Sequence, residues 1–235
     1  MVNTMKGKNM KKLIALMLAF GVTAGIAHAQ TQVLSQNAVG YVKQEIEGGK
    51  LYLVSNPFVN LEDPDGHALV EMLDEVPNGT IVSVWDAVGQ TYISYTKSAR
   101  GVWDFDAQNA IIPPAEPMFL RIPAAADSAE IFFMGEVPSD EEIPQGRVTG
   151  LTFVGYPFPA SVLFTNTAFA TATPNSGVVS FWDPDLASYV SYTKSARGVW
   201  DFDAQTAVVS PGQAFIVRSS AAPSDWDEVK PYTWP

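Results

Sequence analysis

The chain has 235 residues with 14 basic and 25 acidic side chains, a formal net charge of −11 and no cysteine. Phosphate binding depends on clustered Lys and Arg, so this composition argues against a nucleic acid partner. The lack of cysteine excludes a thiol nucleophile, an iron–sulfur cluster and a zinc site with thiolate ligands.

Residues 1–29 have the pattern of a secretory signal peptide. Four lysines precede an apolar run, residues 13–26, and Ala27 and Ala29 place small residues at the cleavage-determining positions. The run is shorter than the roughly 20 residues that a membrane-spanning helix needs. We expect a mature chain that begins at Gln30, is secreted to the extracellular space or the periplasm, and has no membrane span. Its net charge would be −15, because four lysines and no acidic residues are removed.

His67 is the only histidine of the expected mature chain. A serine triad or a histidine-based zinc site would therefore depend on this residue. No metal-ligand spacing surrounds it. We predict no metal site, no cofactor and no enzymatic activity.

Strand patterns dominate the remaining sequence. Short runs rich in Val, Ile, Tyr, Phe and Trp are separated by Gly, Pro and Asn, which is typical of an all-β sandwich or barrel. Leu69, Met72, Leu73 and Val76 have helical spacing, so we predict one helix of about three turns in the first half. The strands predicted there are residues 33–42, 50–55, 80–86, 91–97, 102–106, 118–122 and 130–134.

A segment of fifteen residues, SYTKSARGVWDFDAQ, occurs twice, at residues 94–108 and 191–205. Flanking motifs recur in the same order, which predicts two related β modules in tandem. Three residues are missing from the second copy where the first has its helix, so we expect that helix to be shorter or absent. The identity of the two segments fits either a shared function or recent copying of the sequence.

Polar, turn-forming residues separate the two copies. We predict a signal peptide at 1–29, a first β module at 30–137, a linker at 138–146 and a second β module at 147–235. We expect the modules to pack together, because a linker of this length is short for free domain motion.

Each repeated segment predicts a β-hairpin with an exposed cationic tip. On its returning strand, Trp103 and Phe105 would share one face, which we expect to be core, and Asp104 and Asp106 would share the other. The candidate binding residues are Tyr95, Lys97, Arg100, Trp103, Asp104 and Asp106 in the first copy and Tyr192, Lys194, Arg197, Trp200, Asp201 and Asp203 in the second.

The paired carboxylates are compatible with three roles. Asp104 and Asp106 would lie roughly 7 Å apart on a strand, a separation that inverting glycosidases use. They could instead bind calcium, although no ligand loop adjoins them. The third role, a solvated strand face, is the one we expect.

Several motifs carry a family resemblance: Asn56-Pro57-Phe58, Trp85-Asp86 and, in the second half, residues 210–217 with the sequence SPGQAFIV. With these motifs the chain resembles a β module that occurs in repeated copies in secreted and cell-surface bacterial proteins. The resemblance spans most of both halves and implies a structural or interaction role without catalysis. Tyr156 replaces the first Asn in the second half, and residues 114–118 lack the Gly and Gln, so we expect the turn chemistry to differ between modules.

We therefore expect a secreted, non-enzymatic structural or interaction protein of the cell envelope or extracellular matrix. The alternative is carbohydrate binding by the duplicated aromatic hairpins, and a third hypothesis is a glycoside hydrolase. The expected partners are an extracellular glycan, another envelope protein or a second copy of the chain.

Overall fold

The computed structural model of the chain describes residues 38–233, which belong to one compact unit. The predicted signal peptide and the first residues of the predicted strand 33–42 lie outside the described residues. Strands dominate and both α-helices are short, so the predicted all-β fold is confirmed. Neither helix in this part of the chain is long and apolar enough to cross a bilayer.

Both halves of the described chain contain the same sequence of elements. The strands of the first module, residues 38–137, are β1 (Val39–Glu47), β2 (Leu51–Ser55), β3 (His67–Ala68), β4 (Ile81–Asp86), β5 (Thr91–Thr96), β6 (Ile111–Ile112), β7 (Pro117–Arg121) and β8 (Ser128–Glu136). Those of the second, residues 138–233, are β9 (Glu142–Arg147), β10 (Gly150–Gly155), β11 (Val162–Leu163), β12 (Val178–Asp183), β13 (Ser188–Thr193), β14 (Val208–Val209), β15 (Ala214–Ser219) and β16 (Ser224–Val229). Helix α1 (Leu69–Met72) follows β3, and helix α2 (Ala168–Ala172) precedes β12.

The strands pair antiparallel, and in the same way in both modules. The first module has a four-stranded sheet in the order β2-β7-β4-β5, a two-stranded ribbon of β1 and β8, and a short pair of β3 and β6. The second has the sheet β10-β15-β12-β13, the ribbon of β9 and β16, and the pair of β11 and β14. Every strand of one module therefore has a counterpart in the other.

Each module has a core on one face of its sheet. In the first module, Ile46 and Phe133 of the ribbon and Leu69 of α1 pack against Val82 and Leu120 of the sheet. The core of the second module is more aromatic. Its fully buried large side chains include Tyr156, Phe158, Phe164, Phe169 and Phe215.

The opposite faces of the two sheets pack against each other. The buried members of this contact are Leu53, Phe119, Ala214 and Ile216. Trp85 Nε1 donates to Leu151 O at 3.2 Å, and its counterpart Trp182 Nε1 donates to Leu51 O at 2.5 Å. Because each indole bonds to the equivalent leucine of the other module, the contact has approximate twofold symmetry.

The two backbones approach closely where β2 and β10 end. Ser55 N donates to Gly212 O at 2.9 Å. A Cβ added at Gly155 would overlap the carbonyl oxygen of Ala115 and lie 2.7 Å from Ser55 Cβ. Ala115 has a φ of 60° and its counterpart Gly212 a φ of 74°, so the turn keeps its left-handed conformation although its residue differs.

The prediction of a three-turn helix in the first module is wrong, because α1 has four residues. After α1, the carbonyl groups of Asp74 and Val76 accept hydrogen bonds from Lys97 Nζ at 2.5 and 3.0 Å. These carbonyls thus accept hydrogen bonds from the side chain of Lys97, which directly follows β5, and the helix does not continue through them.

The prediction of a shorter or absent helix in the second module is also wrong. Helix α2 has five residues, and the Thr167 hydroxyl caps it by accepting from Ala170 N at 3.0 Å. Two further N-terminal amides, those of Ala168 and Phe169, donate to the carboxylate of Glu228. A local cap from Thr167 and a distant one from Glu228 therefore stabilise the N-terminus of a helix whose apolar periodicity is weak.

The predicted linker, residues 138–146, is partly a strand. β9 begins at Glu142 and pairs with β16 throughout its length. Pro144 is compatible with this strand because a two-stranded ribbon leaves one edge of each strand unpaired. The side chain of Arg147, at the end of β9, is buried and donates to four oxygen atoms, those of Ser219 Oγ, Ala221 O, Ala222 O and Ser224 Oγ.

Candidate functional site

The two repeated segments fold into loops of the same structure, tip loop 1 (residues 97–107) and tip loop 2 (residues 194–204). The predicted hairpin forms only in part, because the returning segment pairs with the outgoing strand through a single bridge, Lys97 to Trp103. Gly101, with a φ of 80°, turns the chain at the tip. The counterparts in tip loop 2 are Lys194, Trp200 and Gly198, with the same φ.

Asp104 shapes tip loop 1. Its Oδ2 accepts from Thr96 N at 2.6 Å, and its Oδ1 accepts from Ala107 N at 2.9 Å, at the start of a short 3-10 helix, Ala107–Asn109. Asp106 is exposed. The two carboxylates are therefore not equivalent, since that of Asp104 is bound by two backbone amides. In tip loop 2, Asp201 accepts from Thr193 N and Ala204 N, and Asp203 is exposed.

The lysines of the tip loops are buried, although the hairpin model predicts them at exposed tips. Lys97 is 7% exposed and Lys194 8% exposed. Lys194 Nζ donates to the carbonyls of Ala170, Thr171 and Thr173 at 2.8–3.0 Å, and burial lowers its pKa. Lys97 thereby attaches tip loop 1 to the residues that follow α1. Lys194 attaches tip loop 2 to the C-terminal end of α2. Only the arginines of the predicted cationic tips, Arg100 and Arg197, are exposed.

Trp103 cannot stack on a sugar ring, because it is 7% exposed. Its Nε1 is buried and has no hydrogen-bond partner within residues 38–233. Its counterpart Trp200 is half-buried, donates to Ala170 O at 3.2 Å and lies 4.8 Å from the ring of Phe164. The two indoles therefore pack against the cores of their modules and do not form an exposed aromatic surface for a sugar ring.

The tyrosines of the repeated segments lie against the module cores. Tyr95 packs on the core of the first module and Tyr192 on that of the second. Burial raises the pKa of Tyr95, and the carboxylates of Asp104 and Asp106 raise it further. Burial, Asp201 and Asp203 act in the same way on the pKa of Tyr192. Both hydroxyls therefore stay neutral at physiological pH.

The sequence pattern does not indicate which apolar residues of the loops are the most exposed. Phe105 is 78% exposed and Val102 58% exposed, although Phe105 is predicted to share a core face with Trp103. An Asp three residues before Ala107 is an N-cap pattern that would have indicated the end of the strand. A strand that ends at Trp103 no longer directs Phe105 inward. In tip loop 2, Phe202 is 78% and Val199 60% exposed.

These exposed residues define the candidate site. We call Arg100, Val102 and Phe105 tip surface 1, and Arg197, Val199 and Phe202 tip surface 2. Asn78 Nδ2 braces the first loop by donating to Ala99 O at 3.2 Å, and Asn175 Nδ2 donates to Ala196 O at 3.1 Å in the second. The loops are thus fixed by hydrogen bonds and present the same side chains twice.

No cluster of three or more His, Cys, Asp or Glu side chains within residues 38–233 is arranged to hold a metal ion. His67, which is part-buried, lies with Nε2 3.1 Å from Phe58 O. No protein-family model, curated protein or solved structure matches the chain.

Proposed function

We propose that the protein is a secreted, non-enzymatic interaction protein of the cell envelope or extracellular matrix, and that its two tip surfaces bind a repetitive partner. The observation that carries this proposal is the equal exposure of Phe105 and Phe202, 78% each. Single exposed apolar residues are common, but the same exposed set on two braced loops supports one shared binding role.

The engagement of the aspartates favours binding over hydrolysis. A glycoside hydrolase needs two carboxyl groups that are free to face the substrate. In each tip loop, one of the two is held by a pair of backbone amides. This arrangement supports a structural role for Asp104 and Asp201.

A glycan is the second candidate partner. The ring of Phe105 and the guanidinium of Arg100 are exposed on one loop, and this combination suits a sugar ring beside an acidic group. The contact would use phenylalanine and not the buried Trp103. An envelope protein or a second copy of the chain would use the same surface through its apolar part.

Variants at the exposed phenylalanines test the proposal. Phe105→Ser, Phe202→Ser and the double variant should fold, because side chains this exposed contribute little to the core. Wild type and variants are compared on a glycan array, against extracted envelope proteins, and for self-association by sedimentation velocity. Each single variant should lose most of the avidity and the double variant all of it, since linked sites reinforce each other.

The control variant carries Val88→Ser and Leu186→Ser, which remove exposed apolar side chains outside the tip loops. It should behave like wild type. Binding that is equal in the wild type and in the double phenylalanine variant, for all three kinds of partner, contradicts the proposal.

A further inference from the structure

The first module has an open groove between helix α1 and strand β8. Two cavities of about 360 and 540 Å³ lie there and share Glu71, Met72, Phe132 and Met134 in their walls. Because they share these residues, they form one continuous groove. It is distinct from the tip surfaces, although Lys97 of tip loop 1 holds the wall segment at Asp74 and Val76.

The groove combines an apolar floor with an acidic rim. Phe132 is 38% and Met134 59% exposed, and Val39 and Leu61 extend the apolar surface. The acidic side chains that line it are Glu62, Glu71, Asp74, Glu75 and Glu130. Lys43 of β1 forms an ion pair with Glu130, but no Lys or Arg is among the residues that line the two cavities. This surface is complementary to a ligand that is both apolar and cationic.

Among residues 38–233, no strand pairs with the edge of β8 that faces the groove. At its end, Glu136 exchanges two backbone hydrogen bonds with Val59, at 2.8 and 3.0 Å, on the edge opposite β1. Backbone groups in a strand alternate between its two edges, so those of Met134, Phe132 and Glu130 point to the same edge as Glu136. The pairing stops there, because the chain turns away after Val59.

A turn at Asn60 explains why the pairing stops. Asn60 Nδ2 donates to Gly66 O at 2.9 Å, and its Oδ1 accepts from Glu62 N at 3.0 Å. The segment after Val59 is thereby drawn away from β8. About five residues of strand edge, from Glu130 to Met134, are left along the groove, a length of roughly 17 Å.

In the second module the equivalent space is closed. Helix α2 packs against β16, and the Glu228 carboxylate on that strand accepts from Ala168 N and Phe169 N at 2.9 and 3.0 Å. The rings of Phe169 and Trp226 lie 5.3 Å apart across the same contact. The two modules share one fold, but the space between the helix and the last strand is filled in the second module and forms a groove in the first.

We infer that the groove binds an extended polypeptide of another protein, in which apolar residues alternate with Lys or Arg, as an added strand on β8. Side chains on one face of such a strand would lie beside Phe132, Met134 and Glu130, and those on the other face would lie towards α1 and its acidic residue Glu71. A second copy of this chain fits the groove less well, because the net charge of −11 makes two copies repel each other.

The test measures fluorescence polarisation of a labelled heptapeptide, Lys-Val-Lys-Val-Lys-Val-Lys, with the full-length protein. The groove variant Glu71→Lys with Glu75→Lys changes two exposed side chains and should retain the circular dichroism spectrum of the wild type. It should bind the peptide at least about tenfold more weakly, because two attractive charges become repulsive. Affinity should also fall with added salt.

Two controls separate strand addition from simple charge attraction. Asp225→Lys with Asp227→Lys makes the same charge change on the exposed face of the β9–β16 ribbon and should leave the affinity within about twofold of wild type. A fully backbone N-methylated peptide retains its charges but cannot donate to a strand edge, so it should not bind.

Several outcomes would overturn the inference. They are absence of binding, equal loss of affinity in both charge-reversal variants, equal binding of the N-methylated peptide, or stronger binding of the corresponding Glu-Val peptide. If instead the groove variant changes only self-association, the groove belongs to a second copy of the chain and the inference is wrong. Loss of peptide binding in the phenylalanine double variant alone would assign the peptide to the tip surfaces.

Discussion

Two buried lysines anchor the tip loops, which belong to the segments of identical sequence in the two modules. Lys97 and Lys194 each place an ammonium group among backbone carbonyls and leave the neighbouring arginine exposed. A lysine can be desolvated in this way only when several acceptors replace its hydration. The sequence Lys-Ser-Ala-Arg-Gly indicates a polar tip, but it cannot show which of its two cations reaches a carbonyl cluster on another element.

Replacing Lys194 with methionine should lower the free energy of unfolding by about 2 kcal/mol. The change removes three hydrogen bonds of a charged donor and leaves the carbonyls of residues 170, 171 and 173 without it. Urea denaturation monitored by tryptophan fluorescence measures the effect. Arg197→Met, three residues away and exposed, should change stability by less than about 0.5 kcal/mol. Equal effects of the two substitutions would contradict the structural role of the ammonium group.

Glu116 should make the protein less stable as the pH rises above the ordinary carboxyl pKa. It lies in a cleft between the modules lined also by Trp85, Gln145 and Thr152, and burial raises its pKa. The folded state then keeps the proton to a higher pH than the unfolded state does, so stability is lost as the pH rises through the folded pKa. Glu116→Gln should therefore raise Tm at pH 7 more than at pH 4, as measured by calorimetry.

Glu45 of β1 provides the control for this experiment, because its side chain is exposed. Glu45→Gln should leave Tm close to that of the wild type at both pH values. A Glu116→Gln variant with a lower Tm at pH 7 would show that the carboxylate makes a stabilising contact, which contradicts the prediction.

At the scale of elements, strands were easier to predict than the segments between them. The predicted strands 50–55, 80–86, 91–97, 118–122 and 130–134 each overlap an observed strand, because their apolar and β-branched residues have a strong local preference. The helices, the strand β9 and the tip loops depend on contacts between residues far apart in sequence. Glu228, for example, accepts hydrogen bonds from the first two amides of α2, although it lies on β16, the last strand of the module.

The candidate site was predictable in position but not in chemistry. Identical segments direct attention to residues 94–108 and 191–205, and alternation gives Trp103 a core position. Phe105 is exposed because the hydrogen bonds of Asp104 shape a loop where the strand was predicted to continue. An alternating strand pattern does not predict these bonds. The groove of the first module has no sequence signal, because it arises from the different packing of α1 and α2.

Asp104→Ala should destabilise the protein by about 1 to 2 kcal/mol. It removes the carboxylate that accepts hydrogen bonds from two backbone amides, those of Ala107 and Thr96. Asp106→Ala is the matched control in the same loop and should have an effect below about 0.5 kcal/mol. Thermal unfolding of both variants decides between this asymmetry and the symmetric pair of carboxylates that the hairpin pattern predicts.

At the scale of the whole molecule, an aromatic layer joins the two sheets. The ring of Phe153 lies 5.2 Å from Trp85, 5.8 Å from Phe119 and 6.0 Å from Tyr92, all three in the first module. Burial and the neighbouring Tyr189 raise the pKa of Tyr92. The two modules should therefore unfold as one cooperative unit.

Gly155→Ala tests this coupling where the backbones are closest. The added methyl group would overlap Ala115 O, so the sheets must move apart at a cost of about 1 to 3 kcal/mol. Calorimetry should show a lower Tm, and a second transition if the modules separate. At Gly146 in β9, an added Cβ would meet only Asp225 Oδ1, at 3.4 Å, so Gly146→Ala is the control and should have the smaller effect. An unchanged Tm for Gly155→Ala would contradict the close approach.

The reciprocal bonds of Trp85 and Trp182 have a consequence for the ancestry of the chain. A contact in which equivalent residues meet across a twofold axis is the kind that two identical subunits make in a homodimer. A single ancestral module with this sheet would have exposed its aromatic face and gained stability by dimerising. Joining two copies in one polypeptide makes that association intramolecular and independent of protein concentration. Within one polypeptide the two halves need not be identical, and here one fills the space beside its helix while the other leaves a groove.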